Sequence, residues 1–275
     1  MANIGSISSL VSKGDLVICD KLNHASIIDG CRLSGADFRV YPHCDMEKLE
    51  NILKKSSKYS RKLIVTDTVF SMDGDIAPLP DIVRIAHKYK AMVMVDEAHG
   101  TGVFGKRGGG VVEHFNLSKK IDIVMGTLSK AVGSLGGYVS GDEDLINFLR
   151  NKARPFMYTT ALPPAVCAAS IAGIKLIQKN PLLRKSLWNN VRYLKKELDL
   201  LNFDLIPSES PIIPILIGDA KKAVDVSKLL YKKGILIPAI RPPTVPARSS
   251  RLRMTVMSIH TRKDLERLLE VLSDV

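Results

Sequence analysis

Short apolar runs alternate with longer mixed segments along most of this chain. The runs at residues 15–19 (DLVIC), 38–41, 62–65, 91–95, 123–125 and 138–140 have the length and texture of strands. Between them, residues 4–11 predict a short apolar helix, and a helix opened by DKLNHAS runs to about residue 33. Residues 45–55 predict an amphipathic helix, and 79–90 and 142–150 two more. Residues 155–164 (PFMYTTALPP) predict a loop. Residues 165–177 are apolar on most faces, so a buried helix is expected there. A long charged helix at 182–201 then leads into a different texture. Strands at 203–206 and 212–217 alternate with helices at 220–233 and 263–272, an α+β pattern. The expectation is an α/β chain with a large domain over residues 1–180 and a smaller α+β domain over 181–275.

Composition narrows the class. The chain of 275 residues is 45% hydrophobic and 25% charged, a globular balance. No stretch approaches the roughly 18 uninterrupted apolar residues of a membrane span. The start, MANIGSISSLVSKGD, has no basic region followed by an apolar core, so no secretory signal is evident. Cys19, Cys31, Cys44 and Cys167 show no C-x-x-C spacing, and reduced thiols in a cytoplasmic protein are expected. The net charge of +12 comes from lysine pairs scattered over several segments. With no recognisable nucleic-acid module, solvated helix faces explain it best, and neither nucleic acid nor membrane is expected as a partner. A positive field also suits an anionic substrate such as a CoA thioester.

Two stretches carry candidate chemistry. In DIVMGTLSKAVGSLGGYVSG, residues 122–141, Lys130 falls between two strands among hydroxyls and glycines. That is a poor place for a solvated surface charge. Partial desolvation would let the amine lose its proton and form an imine with an aldehyde; a plain loop lysine is the equal alternative. In VMVDEAHGTGVFG, residues 93–105, a strand ends in Asp96, with His99 in the turn that follows. Open α/β sheets place ligand groups at strand ends. A buried aspartate there needs a partner, and a protonated pyridine nitrogen would be one. The alternative is a turn-capping aspartate with His99 bonded locally.

Other positions have similarly double readings. His24, at a strand-to-helix junction, reads as a helix-start histidine bonded to nearby backbone. Ser71, in TDTVFSMDGD, reads as a turn cap beside Asp73-Gly74. Residues 107–110 (RGGG) read as a loop. Arg251 and Arg253 alternate on a strand and are expected to point to opposite faces, one of them able to fork onto a carboxylate. A salt-bridged strand arginine is the alternative.

DEAHGTG followed by GTLSKAVGSLGGYVSG resembles the α-oxoamine synthases, and the resemblance runs from the first residues to the last helix. These are fold-type-I pyridoxal 5'-phosphate enzymes that join an amino acid to an acyl-CoA. The resemblance implies a mainly parallel sheet in the large domain and a homodimer with active sites at the subunit interface. It implies Lys130 as the cofactor's imine partner and Asp96 against the ring nitrogen. His24 would stack on the ring, His99 and Ser71 would lie near its oxygen, and Thr127 would hold the phosphate. Thr159 and Thr160 would reach the phosphate of the other subunit, and Arg253 would bind the substrate carboxylate. The loop IRPPTVP with RLR points to alanine and a pimeloyl thioester, on CoA or a carrier, for biotin synthesis. Glycine with acetyl-CoA is the alternative within the family.

Family members continue upstream of the residue equivalent to Met1, so the chain resembles an N-terminally shortened member. The lost part would include a glycine turn at the cofactor phosphate. A shortened subunit that only binds a partner is therefore a second reading, and an aminotransferase of the same fold, which needs no CoA, a third.

Overall fold

The computed structural model describes residues 1–273. They divide into two compact units, one of residues 1–70 and 77–179, the other of 71–76 and the chain from 180 onward.

In the first unit α1 (Ala2–Leu10) precedes β1 (Leu16–Asp20), α2 (Ala25–Leu33), β2 (Asp37–Tyr41), α3 (Met46–Lys54) and β3 (Lys62–Asp67). Then come α4 (Leu79–Tyr89), β4 (Met92–Asp96), α5 (Val111–His114), β5 (Ile123–Thr127) and β6 (Gly137–Ser140). Helices α6 (Glu143–Lys152), α7 (Arg154–Met157) and α8 (Pro164–Lys179) complete it. Among the described residues the strands form a six-stranded sheet in the order β2-β1-β3-β4-β5-β6. The pairs are parallel except β5 with β6.

The strand sequences explain that arrangement. β1, LVICD, is buried at every position, and β3 and β4 at all but their first, as expected of strands covered on both faces. The core below them joins Ile7 and Leu10 of α1 with Val17, Ile27, Leu63, Val65, Met94 and Ile123. Helix α1 lies close against α2. A Cβ on Gly30 would meet Ile7 Cδ1 at 3.0 Å and the Asn3 carbonyl at 3.3 Å, so the glycine eases the close approach. Fully burying a side chain such as Ile7 contributes about 1.5–3 kcal/mol. Aspartates cap two helices of this unit: Asp45 accepts from Lys48 N and Asp142 from Leu145 N.

The second unit holds α9 (Pro181–Leu200), β7 (Ile212–Gly218), α10 (Ala220–Lys232), β8 (Ala239–Ile240), β9 (Ser250–Thr255) and α11 (Arg262–Ser273). Its three strands pair antiparallel in the order β7-β9-β8. The 71–76 segment is fastened to it. Glu209 N donates to the Gly74 carbonyl, Ser208 Oγ does the same at 3.2 Å, and Arg251 pairs with Asp73.

Several expectations need correction. The predicted loop at 155–164 begins helically, as α7. The predicted strand at 203–206 makes only an isolated bridge, Leu205 with Ile215, because a turn at 201–202 has just ended α9. Helix α8 is not buried: Ser170 is its one buried residue. Its apolar faces turn outward, with Ile171 54% and Leu176 53% exposed. No helix among the described residues is long and apolar enough to cross a membrane.

Candidate active site

The parallel strands end in polar residues along one edge: Asp20 on β1, Asp67 on β3, Asp96 on β4 and Thr127 on β5. That edge is where open α/β sheets gather ligands. The register sets Asp67 beside Asp96, and both are buried, at 4% and 3% exposure. Burial pushes the Asp67 carboxyl well above the usual carboxylate range. The charge of Asp96 pushes the same way, while the backbone N–H of His24 and the Lys130 ammonium pull it back. The Asp67 Oδ2 accepts the His24 N–H at 2.7 Å.

Asp96 is held from two sides. Its Oδ1 accepts from Ala98 N at 2.8 Å, and its Oδ2 from Asn3 Nδ2, also at 2.8 Å. Next to it, Glu97 is fully buried, and that burial pushes its carboxyl up to about 7. Val112 N and Thr68 Oγ1 donate to it at 2.7 and 2.9 Å, so it ties the turns after β3 and β4 to the start of α5. A Cβ on Gly110 would come within 2.4 Å of that carboxyl group, which is why this position takes glycine.

Lys130 sits in the turn between β5 and β6, fixed by Leu128 N to Gly136 O, Ser134 N to Leu128 O and Gly133 N to Lys130 O. The lysine is exposed, contrary to the expected desolvation. The apolar side chains of the turn do not cover it: Leu128 and Val132 are themselves buried, and Leu135 is exposed. Thr127 Oγ1 lies 2.7 Å from Ser129 Oγ and accepts from Ser129 N, making a small hydroxyl and amide cluster beside the lysine. His24 caps α2, its Nδ1 accepting from Ser26 N at 3.2 Å, and the residue is exposed. The local backbone bond that the sequence offered as one reading is therefore present. His99 is half-buried in the turn after β4. Thr159 and Thr160 are exposed beyond α7.

Ser71 and Arg253 both belong to the second unit, where Arg253 Nε donates to the Ser71 carbonyl. The expectation that Arg251 and Arg253 face opposite ways is wrong. Residues two apart on a strand share a face, and both guanidinium groups reach the 71–76 segment, Arg251 at Asp73 and Arg253 at Ser71.

The structure therefore links His24 and Lys130 to Asp67, the neighbour of Asp96: the His24 N–H bonds it and the Lys130 charge acts on it. It adds Asn3, Asp67 and Glu97, which sequence reasoning missed. A lone asparagine in the apolar run of α1 was the available signal for Asn3. The residues fit pyridoxal 5'-phosphate. Asp96 is a buried carboxylate whose oxygens each have a second lone pair for a ring N–H, and an exposed primary amine serves the same strand edge.

Comparison with known proteins agrees. Residues 1–272 match the family described as Aminotransferase class I and II. A protein of Thermoanaerobacter pseudethanolicus named 8-amino-7-oxononanoate synthase is 50% identical over 275 residues, covering 100% of this chain and 70% of that one. The Bacillus velezensis 8-amino-7-oxononanoate synthase 1 is 51% identical over 270 residues, 98% of this chain and 69% of its own length. Among solved structures, Sphingomonas wittichii serine palmitoyltransferase superposes with a TM-score of 0.96 at 36% identity, over 99% of this chain and 69% of that one. The 8-amino-7-oxononanoate synthase of Francisella tularensis gives 0.85 at 33% identity, over 99% of this chain and 78% of that one. With its strand-edge carboxylates, its lysine turn and these relatives, the chain belongs to the aminotransferase class I and II family, in the α-oxoamine synthase branch of the fold-type-I enzymes.

Proposed function

We propose that this pyridoxal-phosphate-dependent acyltransferase condenses L-alanine with a pimeloyl thioester, carried on CoA or a carrier protein, with loss of carbon dioxide. The product is an amino ketone for biotin synthesis. The observation that carries the reading is Asp96, a buried carboxylate at the end of β4, oriented by Asn3 and Ala98. The names of the relatives at about half identity support the substrates.

When bound, the cofactor supplies an electron sink that makes the substrate α-carbon acidic. Asp96 would accept the hydrogen of the ring nitrogen and favour its charged form. Lys130 Nζ would be the amine that holds the cofactor aldehyde and would serve as the base for the α-proton. Exposure suits this amine to exchange with a substrate. The His24 ring would pack on the cofactor face from the start of α2, where the Asp67 carboxyl anchors its backbone. Thr127 and the Ser129 amide would hold the phosphate, while His99 and Ser71 would orient the ring oxygen. Arg253 is assigned to the substrate carboxylate, its guanidinium offering the fork such a group needs.

We assign the outward face of α8 to a second copy of this chain, forming a homodimer in which Thr159 and Thr160 reach the partner's phosphate. Ile171, Ile174 and Leu176, at 54%, 40% and 53% exposure, support it.

The test is a visible spectrum of the purified chain with added pyridoxal phosphate, before and after borohydride, beside Lys130→Ala. A band fixed by borohydride at Lys130 is expected, followed by carbon dioxide release with alanine and pimeloyl-CoA. Turnover with glycine and acetyl-CoA instead would replace the substrates. No band in the folded chain would leave a subunit that only binds a partner.

A further inference from the structure

One strand away from Asp67, the turn after β2 brings together a carboxylate, an imidazole and a thiol that the acyl-transfer site does not use. Asp20 ends β1, and its side chain is 1% exposed. Its Oδ1 lies 3.0 Å from His43 Nδ1, and Cys44 Sγ lies 3.8 and 3.7 Å from the two ring nitrogens of His43. One donor atom from each residue falls within 4.8 Å of the others.

We propose that Asp20, His43 and Cys44 form a binding site for a borderline-soft divalent cation of the zinc kind. Thiolate, imidazole and carboxylate are the donors zinc selects. Bonds of about 2.3 Å to sulfur and 2.0–2.2 Å to nitrogen and oxygen would hold these atoms roughly 3.3–3.6 Å apart. His43 lies 3.0 Å from the Asp20 oxygen and 3.7–3.8 Å from the Cys44 sulfur, separations that straddle that range, and all three donors fall within 4.8 Å, so a small side-chain rearrangement closes the set. Three protein donors leave the fourth tetrahedral position to water.

The outer contacts are those a metal site needs. Leu22 N donates to Asp20 Oδ1 and Cys44 N to Oδ2, both at 2.8 Å, so the carboxylate is already aimed. The His43 ring packs edge-on against Phe70 with centroids 4.4 Å apart, which fixes its plane. Cys44 and His43 are partly exposed, so a cation can enter from solvent, while Asp20 supplies a buried oxygen donor.

The test uses the untagged full chain, reduced and stripped of metal with EDTA. Titration with cobalt(II) is followed by absorption and titration with zinc by calorimetry. One equivalent per chain is expected, with a thiolate-to-cobalt charge-transfer band. Cys44→Asn should abolish the band, and both it and His43→Gln should weaken zinc by at least about ten-fold, the lower end of what losing even an outer-shell partner costs. Cys167→Ser, at an exposed thiol, should change neither. Asparagine is chosen because Cys44 has φ 52°, a left-handed conformation that asparagine adopts more readily. A thermal melt checks that the variant folds; if it does not, His43→Gln and Cys167→Ser decide. The absence of the band in the parent chain would overturn the site. So would its survival in folded Cys44→Asn or its loss in Cys167→Ser.

Discussion

Helices α1 and α8 both read as apolar in the sequence, and the structure treats them oppositely. Helix α1 buries Ile7 and Leu10 in the core beneath the sheet and aims Asn3 at Asp96. Helix α8 is covered by the rest of the first unit along one narrow stripe, Val166, Ser170, Gly173 and Ile177. That stripe lies on the lysine turn. Ser170 Oγ donates to Ser134 Oγ at 2.9 Å, and a Cβ on Gly173 would come 2.3 Å from the Val132 carbonyl. Apolar character sets a helix's need for cover, but where the chain lays it down decides what supplies that cover. The small residues of α8 serve the lysine turn, and its large ones are left for a partner.

The largest effect expected from breaking this contrast is at Ile7. Ile7→Ala should cost about 2–5 kcal/mol in a denaturant melt, because a fully buried side chain leaves a cavity. A cost below about 1 kcal/mol would mean that α1 is not held as described. Next, Gly173→Val drives two methyl groups toward the Val132 carbonyl and should cost about 1–3 kcal/mol, from overpacking. It should also disturb the borohydride-fixed band at Lys130, which a purely peripheral helix would leave alone. Asn3→Leu removes a donor from a buried carboxylate, a loss of about 1–3 kcal/mol. Its spectroscopic sign is a change in the pH dependence of the bound cofactor's absorption. The smallest effect on folding is at Ile171. Ile171→Ala, at an exposed position, should stay within about 0.5 kcal/mol in dilute melts yet weaken self-association in sedimentation. A large folding cost with unchanged association would make α8 a core helix after all.

Much of the site was legible because its chemistry is local. The apolar run ending in Asp96 and the glycine and serine turn around Lys130 are continuous in sequence, and both lie where strands end. What escaped depends on tertiary placement. The pairing of Asp67 with Asp96 comes from the register of β3 against β4, which neither strand encodes alone. Asn3 reaches Asp96 across 93 positions of chain. The exposure of Lys130 and α8 depends on what packs above them, which periodicity does not report. The error at Arg251 and Arg253 was of another kind: the period of two in a strand already placed both on one face.

The short 71–76 segment has a practical corollary for anyone dissecting the molecule by expression or proteolysis. The chain enters the second unit there, returns, and enters again near residue 180, so no single cut separates the two units. A C-terminal fragment starting at 180 would keep Arg251, whose side chain is 7% exposed, but lose Asp73, leaving a buried guanidinium without its counter-ion. Such a fragment should express poorly unless residues 71–76 are supplied as a peptide. A nick within that segment should loosen the second unit at a point more than a hundred residues away in sequence from the strand it supports.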